Sequence, residues 1–157
     1  TGRAGPEGAM TRFVVLHHRA WPGQADHYDL MLELFAGADP DEPALKTFST
    51  LAEVFPDGRS HADPRVRGEA AGDPTLQANL LRLGSDHRRA YLDFEGALSG
   101  ERGRVERADG GALAWLADPG SSGLEFRVGL AGCRLKGDYR LRSLGSGTYV
   151  LERFKRG

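Results

Sequence analysis

The sequence predicts a mainly β domain, a compact barrel or sandwich. Three observations point there. Apolar and polar residues alternate in several short runs, the period of half-buried strands. Gly- and Pro-rich turns separate these runs at about ten-residue intervals, as in small sandwiches and barrels. No heptad or internal repeat interrupts the pattern. The chain has 157 residues, enough for one core, and 22 Gly and 8 Pro, which supply the turns.

The elements follow in order. "TGRAGPEGAM" (1–10) reads as a disordered leader or cloning remnant with Met10 as the natural start, so residues 11–157 form the single expected domain. It has no apolar h-region, so no secretory signal is expected. "RFVVLHH" (12–18) is a β-branched strand. In "HYDLMLELF" (27–35), Tyr28, Leu30, Leu32 and Leu34 face one way, and His27, Asp29, Met31 and Glu33 the other. "ALKTFST" (44–50) is a third strand. Residues 56–74 lack a period and predict a long surface loop. "TLQANLLRL" (75–83) suits a short helix or a strand, and "RAYLDFEGAL" (89–98) a strand. "GRVERAD" (103–109) and "ALAWLAD" (112–118) read as two strands around a Gly-Gly turn. "LEFRVGL" (124–130), "CRLKGDYRLRSL" (133–144) and "TYVLERFK" (148–155) complete the set.

Composition narrows the function classes. Lys and Arg number 21 against 22 Asp and Glu, so any nucleic-acid partner must be met by a local patch. No apolar run reaches the roughly 20 residues of a membrane helix, and no membrane partner is expected. The lone Cys133 excludes a disulfide framework and a cysteine-based zinc site, and a cytoplasmic protein is expected. The glycines of "LGSGTY" and "SGERGRV" precede no helix, so they do not make a phosphate loop.

Two clusters carry chemistry. On an extended strand His27 and Asp29 project together, and His17 or His18 of the preceding strand can join them. Two imidazoles and a carboxylate suit Mn²⁺, Zn²⁺ or Fe²⁺ and leave positions for substrate oxygens. The same spacing serves equally for a polar strand face meeting water. The second cluster is "SDHRRAYLDFEG" (85–96), where His87 precedes a strand whose Tyr91, Asp93 and Glu95 share a face. Such groups can bind or protonate an oxyanion, or stand as a solvated face. His61 falls in the polar loop as an exposed residue. "RLKGDYRLR" (134–142) is locally basic, suited to phosphate contact or to a solvated edge strand.

The ordered blocks "FVVLHH", "HYDLMLEL", "LKTFS", "DHRRAYLDFEG", "GCRLKGDYRL" and "YVLERFK" extend the reading. From Arg12 to Lys155 they resemble a divergent member of the 3′-phosphoesterase domain family, found at the N-terminus of bacterial DNA ligase D and as stand-alone proteins. The resemblance implies a small closed or partly closed β-barrel of about eight strands, with one or two short helices. It implies a Mn²⁺-dependent enzyme, with Zn²⁺ as second choice. Such an enzyme trims a 3′-ribonucleotide or 3′-phosphate from DNA or RNA/DNA ends during non-homologous end joining. By position, His18, His27 and Asp29 would hold the metal, with His17 as substitute for His18. His87, Tyr91 and Arg82 would be the catalytic set, His87 at the reacting phosphate.

The chain also departs from the family pattern. Met31 stands where the family has Arg, Leu16 where it has Gln, and the region of Ala52 lacks its Lys. The family's other Arg falls on Asn79, which leaves Arg82 to take that role. Arg88, Arg89 and Arg102 are further candidates to replace lost charge. The chief expectation is thus a monomeric phosphoesterase, working beside a separate ligase or polymerase. The alternatives are an end-binding or partner-binding module on the same fold, and a phosphoesterase for a small nucleotide.

Overall fold

The computed structural model describes residues 10–58, 78–119 and 123–155. Nine strands are present among them: β1 (Thr11–Arg19), β2 (His27–Glu33), β3 (Leu45–Thr50), β4 (Leu80–Leu83), β5 (Gly96–Ala97), β6 (Arg104–Trp115), β7 (Glu125–Ala131), β8 (Lys136–Gly145) and β9 (Thr148–Arg153). Eight of them close a barrel in the order β1-β2-β3-β4-β9-β8-β7-β6, with β6 returning to β1. Every pairing is antiparallel. The two-residue β5 adds to β6 outside the ring. The expected mainly β barrel is therefore the fold. The expected leader lies, but for Met10, outside the described residues, as do His61 and residues 59–74 of the expected loop. No helix among the described residues is long and apolar enough to cross a membrane.

Alternation along the strands builds two apolar layers rather than one. Phe13 and Val15 of β1, and Leu30 and Leu32 of β2, point into the barrel and join Phe48, Val128, Tyr139 and Leu151. Their strand neighbours Val14, Leu16 and Met31 point outward, yet they too are buried. They pack with Leu45, Leu92 and Val105 in a second cluster on the outer wall, flanked by Tyr91 and Leu98. The chain between β4 and β6 thus covers the outer face of β1 and β2.

That covering segment departs from the strand expected at 89–98. Arg89–Leu92 is a single 3-10 turn, followed only by β5. The cause is Arg89, whose guanidinium is buried. It donates to Glu33 (2.8 Å), Glu42 (2.6 Å) and the carbonyls of Asp39 and Phe35. The Arg89 and Ala90 amides donate to the carbonyls of Glu42 and Pro40, docking the segment on that turn instead of in a ladder. Asp93 consequently pairs with Arg12, and Glu95 accepts the amide of Arg107. Tyr91, Asp93 and Glu95 do not share a face.

The Gly-Gly turn is a second departure. Gly110 and Gly111 lie inside one twelve-residue strand, β6. A Cβ on Gly111 would collide with the carbonyl of Ala131, so the close approach of the 131–135 turn, not chain reversal, requires glycine there. That turn replaces the expected start of β8. Its amides at Cys133, Arg134 and Leu135 all donate to the buried carboxylate of Asp109.

Candidate metal centre

The outer face of β1 to β4 forms the floor of a cavity of about 580 Å³. Register explains why polar groups meet there. His18 lies directly opposite His27 across β1 and β2. Asp29 lies opposite Ser49 on β3, and Ser49 opposite Arg82 on β4. All of these line the cavity, with Met31. The covering segment supplies the facing wall through His87, Tyr91, Leu98 and Arg102.

His18, His27 and Asp29 are the one group among the described residues able to hold a metal ion, each offering an atom within 4.8 Å of the others. Asp29 is 5% exposed. Its two oxygens serve different partners. Oδ1 lies 3.3 Å from His27 Nε2 and accepts the Ser49 hydroxyl at 2.5 Å. Oδ2 lies 3.7 Å from His18 Nδ1.

The remaining ring nitrogens are fixed by carbonyls. His18 Nε2 donates to Arg102 O at 2.7 Å, and His27 Nδ1 donates to Ala25 O at 3.1 Å. A carbonyl only accepts, so these bonds fix the tautomers. They leave His18 Nδ1 and His27 Nε2 as bare lone pairs beside the carboxylate when the rings are neutral. A second ring nitrogen donating to a carbonyl is the usual support of a metal-binding imidazole. The donor set fits a divalent ion of the Mn²⁺ or Zn²⁺ kind. Small side-chain rotations would close its span to the roughly 4 Å between two donors on one ion.

Local electrostatics agree. Burial would raise the Asp29 pKa, but hydrogen bonds from His18, His27 and Ser49 and the charge of His27 hold it well below the usual carboxylate range. The bond to Asp29 raises the pKa of His27, outweighing its burial. When His27 is protonated, its Nε2–H takes the place beside the carboxylate that a metal would otherwise fill.

His17 points the other way. Its ring stacks on Tyr28 at 4.3 Å, Tyr28 packs against the inner core, and burial lowers the His17 pKa. His87 is bridged by its backbone to Leu45. Its Nδ1 donates to Ser85 O at 2.9 Å, which leaves Nε2 as the nitrogen available to the cavity. The Tyr91 ring stands edge-on to it at 5.6 Å.

The candidate cations divide. Arg82 and Arg102 line the cavity, whereas Arg88 belongs to a smaller neighbouring hollow. Arg89 is consumed by Glu33 and Glu42 and offers nothing to a phosphate. Asn79 is fully buried and accepts the amide of Gly58, so it brings no hydrogen-bond donor or charge to the cavity. Leu16 lies in the outer apolar cluster, and Ala52 lines the cavity without a charge.

Three contributors escaped the sequence reading. Trp21 stacks on His18 at 5.1 Å. Its signal was only an aromatic between two candidate ligands. Ser49 had no signal apart from register. The Arg102 carbonyl depends on Gly103 (φ 85°), where a Cβ would lie 2.8 Å from the Trp21 nitrogen, so no side-chain pattern announces it. Compared with models of known families and with curated proteins, the chain matches none.

Proposed function

We propose that the protein is a divalent-metal-dependent phosphoesterase acting on 3′-ribonucleotide or 3′-phosphate ends of nucleic acid in DNA end repair. The observation that carries this reading is the orientation of His18 and His27. Both rings are tethered by carbonyls so that their free nitrogens flank Asp29, at the floor of a cavity that also holds His87 and Arg82. The sequence resemblance supplies the substrate, and a cytoplasmic location and action beside a separate ligase or polymerase go with it.

Mn²⁺ is the first choice of ion and Zn²⁺ the second. Bound by His18, His27 and Asp29, it would supply Lewis-acid polarisation of a phosphate oxygen. The chain's own residues do the rest. Arg82 and Arg102 bring positive charge to a phosphate, and Arg guanidinium matches its oxygens. With Nδ1 tied to Ser85, His87 passes a proton through Nε2 alone, to a leaving oxygen or from a water. Tyr91 limits how that ring can turn.

Met31 favours a second reading. It is 2% exposed and puts a thioether in the cavity wall where the resemblance expects a guanidinium. Losing one positioned charge contact commonly costs about 2.7–4 kcal/mol of transition-state stabilisation. On this reading the cavity holds a strand end without cleaving it.

A gel assay separates the two. Primer-templates ending in one 3′-ribonucleotide or in a 3′-phosphate are incubated with Mn²⁺, Zn²⁺ or EDTA, beside His27→Ala. Metal-dependent shortening or phosphate loss, absent in the variant, is the expected result. Salt-sensitive binding without product would favour the end-binding module. Product formed equally in EDTA would overturn the metal-dependent enzyme.

A further inference from the structure

Beside the large cavity lies a hollow of about 270 Å³, lined by Arg88, Tyr91, Phe94, Leu98, Ser99 and Arg102 among others. Tyr91, Leu98 and Arg102 line both, so the two adjoin across a shared wall. We propose that this hollow is a nucleobase subsite, holding the base of the terminal nucleotide while its phosphate lies by His87 and Arg82. The inference rests on the phosphoesterase reading for the identity of the ligand and deepens it.

Three rings lead from one cavity into the other. His87 is edge-on to Tyr91 at 5.6 Å, and Tyr91 is edge-on to Phe94 at 5.9 Å. Phe94 is 36% exposed, one of four large apolar side chains left to solvent among the described residues. Its position is held from both sides. Asp93 accepts from both terminal guanidinium nitrogens of Arg12, and Glu95 accepts the Arg107 amide. Part of a ring held in this way stays open, and a planar ligand can cover it.

Two guanidinium groups flank the rings. Arg88 lies 5.8 Å from the centre of Tyr91, and Arg102 is anchored to Ser99 by its Nε and one terminal nitrogen. Exposed aromatic rings with arginines beside them take planar heterocycles that carry a negative group. A nucleobase next to its own phosphate meets that description. The base would stack on Phe94 and the phosphate would reach the cations.

The test measures binding and product separately. Labelled primer-templates carry a 3′-phosphate on either a normal or an abasic terminal nucleotide. Affinity is read by anisotropy, and phosphate release is read in Mn²⁺. The normal end should bind about tenfold more tightly than the abasic end. Phe94→Ala should erase that preference and Phe94→Trp should restore it, while all three proteins bind the abasic end alike. Equal affinity of wild-type protein for both ends, with phosphate still released, overturns the subsite and leaves the phosphoesterase intact. A preference that depends on Phe94, without phosphate release, sustains the subsite and overturns the phosphoesterase. Failure to bind either end overturns both. Adenosine 3′-monophosphate as competitor reads the source of the nucleotide. Displacement at matching concentration assigns a free nucleotide to the subsite, and its lack assigns a strand end.

Discussion

Asp29 and Glu33 stand on the same outward face of β2, and both are almost wholly buried. Their surroundings differ in one decisive way. Glu33 is met by the Arg89 guanidinium and the Arg12 amide, donors that keep their protons at any ordinary pH. Asp29 is met by two imidazoles and a hydroxyl. Imidazoles give up their protons near neutrality and then become ligands. The first carboxylate is therefore locked into the structure, whereas the second can exchange a proton for a metal ion. Between them Met31 separates the two sites with an apolar side chain.

The largest effect expected from breaking this contrast is at Arg89. Arg89→Ala strands a buried carboxylate, and loss of one partner of such a pair costs about 3–5 kcal/mol. Denaturant unfolding should show this loss alike in EDTA and in Mn²⁺. The double change Arg89→Leu with Glu33→Met should cost less than Arg89→Ala, because no charge is left unpaired.

Asp29→Asn should behave otherwise. In EDTA it should lose less than Arg89→Ala, because an amide oxygen at that place still accepts the Ser49 hydroxyl and the facing imidazoles can shed their protons. The difference appears on adding Mn²⁺, where the wild-type protein gains about 2.7 kcal/mol at a hundredfold excess over Kd and the variant gains nothing. A loss in EDTA as large as that of Arg89→Ala would make Asp29 a second structural clamp and remove the contrast.

The two carboxylates also show what a sequence reveals. Alternation in "HYDLMLEL" placed both on one face, and periodicity with turn spacing sufficed for most strands of the barrel, though not for the 89–98 segment or for the unbroken course of β6 through Gly110 and Gly111. Which donor faces each carboxylate depends on register and on the path of the 85–103 segment, neither of which leaves a periodic trace. Arg89 therefore looked as available to a phosphate as Arg82, and only the docking of the 3-10 turn on residues 39–42 separates them. Spacing alone did not separate His17 from His18; only the resemblance favoured His18. Once the inward set of β1 is known to be Phe13 and Val15, alternation alone sends His18 outward. Ser49 meets Asp29 only because β3 pairs in that register.

Ser49→Ala sharpens the contrast further. The hydroxyl donates to Asp29 Oδ1 and orients the carboxylate. Loss of such outer support commonly lowers metal affinity 10–100-fold. The stability change should be about 1 kcal/mol, the worth of one hydrogen bond. Titration calorimetry with Mn²⁺ alongside unfolding in EDTA measures both. An unchanged affinity would mean that Asp29 is oriented by its strand alone.

The smallest expected effect is the dependence on pH, and its sign separates proton from metal. The pKa of His27 is raised by Asp29 above the ordinary imidazole value of 6.5, so its stabilising contribution is complete below that value. It is lost as pH rises through the folded value. Asp29 is depressed from 3.8, so its contribution is present above that value and is lost only as pH falls through its lower folded value. In EDTA the protonated pair is thus fully formed between these two limits and weakens above the upper one. Metal binding runs oppositely, because the ion displaces the proton from His27 and binds more tightly as pH rises through the same value. His17 complicates the EDTA curve. Burial lowers its pKa, so its contribution falls as pH drops and grows as pH rises. Comparing wild type with His27→Gln cancels most of the His17 term, since burial and Arg19, its larger causes, are present in both proteins and the charge of His27 is the smallest. The difference in unfolding free energy should shrink from about pH 6 to about pH 8 in EDTA. In saturating Mn²⁺ it should widen over the same range. A difference that stays flat in EDTA would mean that His27 has no protonated partnership with Asp29, and the two carboxylates of β2 would then differ in their neighbours but not in their proton chemistry.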